Sequence, residues 1–412
     1  SESPVREGVI YAGTDDGIIQ VTTNGGESWK KIPVTRLGLP ARTFVNDIKA
    51  DNFDENTVYV SLDNHKEGDF NPYLFKSTDL GDTWTSISSN LPKRNLVWRL
   101  VQDHVAKDLM FCATETAIYV TLDGGKKWNK VPGAPTISFR DITIQKREND
   151  LVAASFGRGF YVLDDYSSLR EMTSENLAKE GALFNTRDAL WYIPKSTTGN
   201  TGADYYFADN PDFGAVFTYH LSKSYPSMKG SRVKKEKEMI KKGQQIPKID
   251  WDDLEKESRE EGTKLYIVIK DLEGNIINKI NAPKSKGLNR VAWNLRHSSS
   301  SAINPDRISS GRGGGRGWYN SGQLASPGQY TATLTKEEQG SSSDIDGPIE
   351  FNVVDLQRGT LPGMGYAEYS NHAENVIQLQ NRQAQFSDRL NENMNMVKAM
   401  RLSLSRSNST NN

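Results

Sequence analysis

The chain has 412 residues, enough for two or three domains, and its 36 % hydrophobic and 25 % charged content is that of an ordinary globular protein. A net charge of −1 excludes a general attraction to nucleic acid or anionic lipid, and no run approaches the ~18 apolar residues of a membrane-spanning helix. The 1 cysteine, Cys112, excludes an internal disulfide and any cysteine-based metal site, and its setting in MFCAT reads as a buried, inert thiol.

The opening stretch, SESPVREGVIYAGT, has no basic segment followed by an apolar core and enters a strand almost at once, so the sequence is expected to begin partway through a longer one. From there to residue 166 it repeats. GIIQVTTNGGESWKKI (17–32), PYLFKSTDLGDTWTSI (72–87) and TAIYVTLDGGKKWNKV (116–131) each join an apolar strand, a Ser/Thr, a Gly-rich turn, a Trp and a second strand. Trp29, Trp84 and Trp128 are spaced by 84 − 29 = 55 and 128 − 84 = 44 residues, and periods of roughly 40 to 50 residues with several short strands mark propeller blades.

FVNDIKAD (44–51), LVWRLVQD (96–103) and SFRDITIQ (138–145) read as first strands of successive blades, and TVYVSLD, LMFCATE and LVAASFG as second strands. A last unit ends in GRGFYVLDDYSSL (157–169), without the acidic turn or the Trp. Three full turns with partial blades at both ends fall short of a closed ring, so the missing blades are expected on an N-terminal segment or on another chain.

Residues 167–213 read as a connecting segment. Strands return over 214–356, as GAVFTYHL, KLYIVIKD, NIINKINA, NRVAWNLR, GQYTATLT and IEFNVVD, and predict an immunoglobulin-like β-sandwich with a polar, partly helical insertion at 225–262. Over 366–405, Leu379, Phe386, Leu390, Val397, Met400 and Leu404 recur at spacings of one helical face, which must pack on the body or on a partner. The polar end SRSNSTNN is expected to be unstructured. The fold class is therefore all-β: a partial β-propeller, a sandwich and a C-terminal helix.

The repeated turn reads as architecture. An Asp in a tight turn accepts hydrogen bonds from nearby backbone N–H groups, a Gly supplies positive φ, and a Trp drops between sheets. Those parts are Ser77, Asp79, Gly81, Thr83 and Trp84 in one copy, Asn24, Gly26 and Trp29 in a second, and Asp123, Gly125 and Trp128 in a third. A residue repeated once per blade is a poor candidate for a single catalytic centre.

The pattern Ser/Thr-x-Asp-x-Gly-x-Thr/Ser-Trp resembles the Asp-box, or BNR repeat. With SFGRGFYVLDD, FADNPDFGAVFTYHL and the run GNIINKI, GLNRVAWNLR, SPGQYTATL, it makes residues 8–355 similar to the large bacterial BNR-repeat glycosyl hydrolases and sortilin-like (VPS10-type) repeat proteins. The resemblance implies a longer exported protein, secreted or at the cell envelope, with further blades before this region and an Ig-like sandwich after them. It delivers no activity: the arginine triad and Tyr/Glu pair of sialidases cannot be assembled here, and the carboxylates of xyloglucanases face each other across two propellers.

Aligned first strands place Asp47, Arg99 and Asp141 at one position, with Asn46, Trp98 and Arg140 just before them. Charges inside apolar strands need partners or water. Two readings stay open: a polar channel mouth that recognises glycan or peptide groups, or an interblade salt-bridge ring that only stabilises. Arg158 fits either. If the chain hydrolyses a glycoside, Asp47 and Asp141 are the carboxylates to serve as acid and as base or nucleophile.

The five histidines lack metal-ligand spacing, DNFDEN (51–56) lacks the Gly and Glu of a calcium loop, and GRGGGRGW (311–318) lacks the Lys-Ser/Thr of a phosphate loop. No cofactor, metal, nucleic-acid partner or membrane insertion is expected. The function that follows is a non-catalytic binding or assembly module for a glycan or protein ligand. The alternatives are a glycoside hydrolase with catalytic carboxylates partly outside the chain, and a structural subunit of an envelope complex.

Overall fold

The structure, a computed structural model, describes residues 1–194, 208–299, 322–356 and 363–406. The GRGGGRGW run and the last six residues lie outside them. The chain divides into two compact units, Ser1–Thr173 and Ser174–Asn412.

The first unit is a row of four antiparallel sheets. The first sheet holds β1 (Ile10–Gly13), β2 (Ile18–Thr22) and β3 (Lys30–Pro33). The second holds β4 (Phe44–Ala50), β5 (Val58–Asn64), β6 (Asp69–Ser77) and β7 (Thr85–Ser86). The third holds β8 (Val97–Gln102), β9 (Met110–Thr114), β10 (Ile118–Thr121) and β11 (Asn129–Lys130), and the fourth β12 (Phe139–Gln145), β13 (Asp150–Ser155) and β14 (Phe160–Leu163).

Consecutive sheets share apolar cores. Tyr11 and Ile19 pack with Val58, Val60 and Leu62; Tyr59 and Leu74 pack with Met110, Cys112 and Trp128; Phe111 and Ile118 pack with Phe139, Ile142 and Leu151. The middle sheets are covered on both faces, which is why MFCAT reads as an unbroken apolar run and why burial pushes the Cys112 thiol up, far above its usual range. This is part of a β-propeller. Two sheets are four-stranded; the first begins at the second-strand position and the fourth lacks an outer strand. Among the described residues, no apolar core joins the fourth sheet back to the first.

The second unit follows as α1 (Ser174–Ala178), β15 (Gly181–Leu183), β16 (Ala189–Trp191), β17 (Ala215–Leu221), α2 (Met228–Lys241), α3 (Trp251–Arg259), β18 (Lys264–Lys270), β19 (Ile276–Asn281), β20 (Gly287–Trp293), β21 (Gly328–Glu338), β22 (Ser341–Asp355) and α4 (Tyr366–Arg406). One sheet runs β15-β17-β20 and the other β16-β22-β21-β18-β19, and Phe217, Tyr219, Ile267, Trp293, Leu334 and Phe351 fill the core between them.

The expectation of a plain connecting segment over 167–213 is corrected here. Residues 167–173 belong to the first unit, while β15 and β16 are sandwich strands. Strands of 3 residues are too short to show an alternating pattern. In the insertion, α2 and α3 are joined by Arg232, which reaches Glu257 at 2.6 Å and Glu236 at 2.8 Å. Among the described residues no helix is long and apolar enough to cross a membrane.

Candidate functional site

The first strands β4, β8 and β12 each carry one extra residue at the same place. Their registers shift between Val45 and Asp47, Val97 and Arg99, and Phe139 and Asp141. A bulge of this kind re-aims a side chain and bends the strand. The extra residues are Asn46, Trp98 and Arg140. Pairing then resumes with Asp47 opposite Ser61, Arg99 opposite Ala113 and Asp141 opposite Ala154.

One ladder results, spanning three sheets. Arg99 Nη1 donates to Asp47 Oδ1 at 2.9 Å, and Arg99 Nε lies 3.5 Å from Asp141 Oδ1. Asp47 is buried; its Oδ2 accepts the Leu100 N–H at 3.2 Å, and Lys49 Nζ lies 3.7 Å from its Oδ1. Asp141 is open to solvent. With its two oxygens turned to Arg99 and to the Leu100 N–H inside the fold, buried Asp47 is poorly placed to reach a substrate as acid or nucleophile.

The bulge residues make a second layer. The Arg140 guanidinium lies 3.7 Å from the Trp98 ring centre and 5.1 Å from that of Phe156. Glu115 Oε2 accepts from Trp98 Nε1 and from Ser138 Oγ, each at 2.9 Å, and lies 3.6 Å from Arg140 Nη2. His65 meets the Trp98 ring edge-on and contacts the Asp63 carboxylate through Nδ1. Arg140 and Glu115 remain partly exposed and Phe156 is 72 % exposed. Arg158 is exposed in the turn between β13 and β14, and among the described residues it makes no ion pair with the ladder.

Glu115 and Phe156 are absent from the sequence-level candidates. They and Asp63 stand two residues beyond Ala113, Ala154 and Ser61, so the strand ends SLD, ATE and ASF carried the signal.

The repeated turns are closed by their own side chains. Ser77 Oγ donates to Asp79 Oδ1 at 2.8 Å and accepts the Gly81 N–H at 2.8 Å; the Thr83 N–H and Oγ1 donate to Asp79 at 2.8 and 2.6 Å. Partial burial pushes the Asp79 carboxyl up, but these bonds outweigh it and hold the group at about 2. Asn24 accepts from Thr22 Oγ1 and the Ser28 N–H through its amide oxygen, and Asp123 from Thr121 Oγ1 and the Lys127 N–H. A Cβ at Gly81 would come within 2.7 Å of Ile32 and one at Gly125 within 2.9 Å of Ile87, so each turn lies directly against the preceding sheet.

The tryptophans do not all drop between sheets, and here the expectation is corrected. Trp128 is 2 % exposed and donates to the Ile87 carbonyl at 2.7 Å; Trp84 packs with the core shared by the first two sheets. Trp29 is 41 % exposed. Its turn belongs to the first sheet, which has no preceding sheet to cover it.

Two buried carboxylates stand at the ends of first strands, Asp51 at the head of DNFDEN and Asp103 at the close of LVWRLVQD. Asp103 accepts from Tyr166 Oη at 2.6 Å, from Arg170 at 2.8 and 2.9 Å, and from the Val105 and Ala106 N–H groups. Burial pushes its carboxyl up, and the bonds from Arg170, Tyr166 and Ala106 outweigh that and hold it at about 2. Asp51 accepts from Tyr59 Oη at 2.8 Å and from Gln102 at 2.9 Å. Both lock strand ends. Among the described residues no three His, Cys, Asp or Glu side chains gather as a metal site requires.

No protein-family model and no curated protein matches the chain. Among solved structures it is similar to YCF48 bound to D1 peptide, with 19 % identity and a TM-score of 0.29 over 38 % of this chain and 48 % of that one. It is similar to a GH74 enzyme of Niastella koreensis, with 16 % identity and a TM-score of 0.32 over 40 % and 28 %. An ancestral GH74 enzyme matches with 12 % identity and a TM-score of 0.32 over 85 % and 40 %. The chain spans less than half the length of each. The propeller assignment rests on the chain's own row of sheets.

Proposed function

We propose that this chain is a non-catalytic binding part of an exported Asp-box propeller protein, with its ring completed by further sheets on a preceding segment or another chain. The observation that carries the binding role is the exposed Arg140, layered on Trp98 beside Phe156 and tied to Glu115. A flat cation–aromatic surface with a carboxylate at its rim suits a polar ligand with apolar faces, such as an oligosaccharide. Asp47 and Arg99 hold neighbouring sheets in register beneath it.

Ring completion is supported at both ends of the row, by half-exposed Trp29 and by exposed Phe160. Location outside the cytoplasm rests on the resemblance to exported repeat proteins; a single buried thiol suits either redox setting.

Binding of the full chain to a glycan array, with Arg140→Ala as control, tests the role. The expected result is oligosaccharide binding that the substitution weakens at least tenfold, with no release of reducing sugar. Hydrolysis abolished by Asp141→Asn would replace this reading with the glycoside hydrolase, which the sharing of Arg99 by two carboxylates keeps in view.

A further inference from the structure

The helix α4 runs for 41 residues without one buried side chain. Seven of its apolar residues follow a stricter order than one face of a surface helix requires, while Met394 and Met396 flank that series and Ile377 and Leu402 lie off it. Val376, Leu379, Phe386, Leu390, Val397, Met400 and Leu404 fall at alternating steps of 3 and 4 residues, once Gln383 and Asn393 fill the two remaining places. A stripe held to seven residues drifts by ~20° per heptad from a straight helix, and a partner helix winding around it keeps the stripe covered. The seven apolar side chains are 38 to 69 % exposed.

The contact that α4 makes within its own unit uses another face. Ser370 bonds to Ser326 at 2.6 Å, and Ala373, Ile377 and Asn381 are half-buried one, two and three turns further on. That leaves the seam of 376–404 free.

We propose that two copies of the chain pair through this seam as a parallel, in-register coiled coil. In this pairing Gln383 meets its own copy and Asn393 meets its own, so each polar layer supplies both donor and acceptor. Along the flanks Arg382 faces Ser387, Arg389 faces Met394 and Arg401 faces Met396, and no like charges oppose. An antiparallel pairing also matches Gln383 with Asn393, but it sets Arg389 against its own copy at the centre. The seam runs ~43 Å at 1.5 Å per residue. It covers on the order of 1,000 Å² over both copies, the size at which specific interfaces begin. The proposal is independent of the ligand reading above.

Sedimentation velocity of the full chain at about 1 to 50 µM tests it, with the double variant Leu390→Glu, Val397→Glu and a Leu390→Cys variant alongside. The expected result is a dimer that the double variant weakens more than 100-fold with an unchanged near-ultraviolet spectrum. Leu390→Cys should cross-link to its own copy on mild oxidation, since Cys112 is buried. Phe160→Asp should leave this dimer intact, which separates it from any association through the open sheets. A monomer at 50 µM, a dimer indifferent to the double variant, a trimer, a Leu390→Cys dimer that does not cross-link, or a monomer that floats with anionic lipid vesicles would each overturn it.

Discussion

Phe160 occupies in the fourth sheet the place that Ile118 occupies in the third. Ile118 pairs with Ala113, itself opposite Arg99; Phe160 pairs with Ala154, itself opposite Asp141. Leu74 completes the series through Ser61 and Asp47. Leu74 is 0 % and Ile118 4 % exposed, each covered by the next sheet, whereas Phe160 is 78 % exposed. The row therefore ends on a face built like its internal interfaces and left uncovered.

Substitution along this row should have opposite consequences. Ile118→Ala should destabilise the first unit by about 2–5 kcal/mol, the range for truncating a buried aliphatic side chain. Phe160→Ala should stay within about 0.5 kcal/mol, as for an exposed position. Urea unfolding followed by tryptophan fluorescence reads both.

Asp79→Ala should lower stability by roughly 1–3 kcal/mol, because the Thr83 N–H and hydroxyl and the Ser77 hydroxyl lose their acceptor. Asp123→Ala should lower it less, since Lys127 offers a backbone N–H and no hydroxyl at that place. Neither should change ligand affinity. Thermal melts with a parallel binding titration check this.

Stability should fall in acid. The Asp79 and Asp103 carboxyls are held at about 2, below the ~3.9 of an unfolded chain, so their contribution is complete above pH 4 and is lost as pH falls towards 2. Asp103→Asn should weaken the first unit at pH 7 by leaving Arg170 without its carboxylate, and should flatten the slope between pH 4 and 2. Denaturant midpoints across that range are the measurement.

Cys112 should resist thiol reagents in the folded protein. It is fully buried between the second and third sheets, and burial disfavours its thiolate. Labelling with a disulfide reagent should occur only above the urea midpoint.

The repeated turns were legible because each uses the same local chemistry: a hydroxyl, an Asp or Asn, a Gly and a Trp at fixed offsets. The alignment of Asp47, Arg99 and Asp141 was legible for the same reason. The fate of Trp29 was not, because its burial depends on a sheet that the repeat does not encode locally. Glu115 and Phe156 were hidden by differing in type while sharing a position. β15 and β16 are too short to show hydrophobic alternation and are placed by pairing with β17 and β22, while the polar first half of β22 (residues 341–348) is a strand because it pairs with β21 across a hairpin and not because its side chains are buried.

The open ring is tested most directly by hydroxyl-radical footprinting of the dilute chain carrying Leu390→Glu and Val397→Glu. Trp29, Phe156 and Phe160 should be oxidised rapidly, while Trp128 and Phe111 stay protected in the same sample. Protection of Trp29 and Phe160 in a chain that sediments as a monomer would mean that the sheets close on themselves, and would contradict the account.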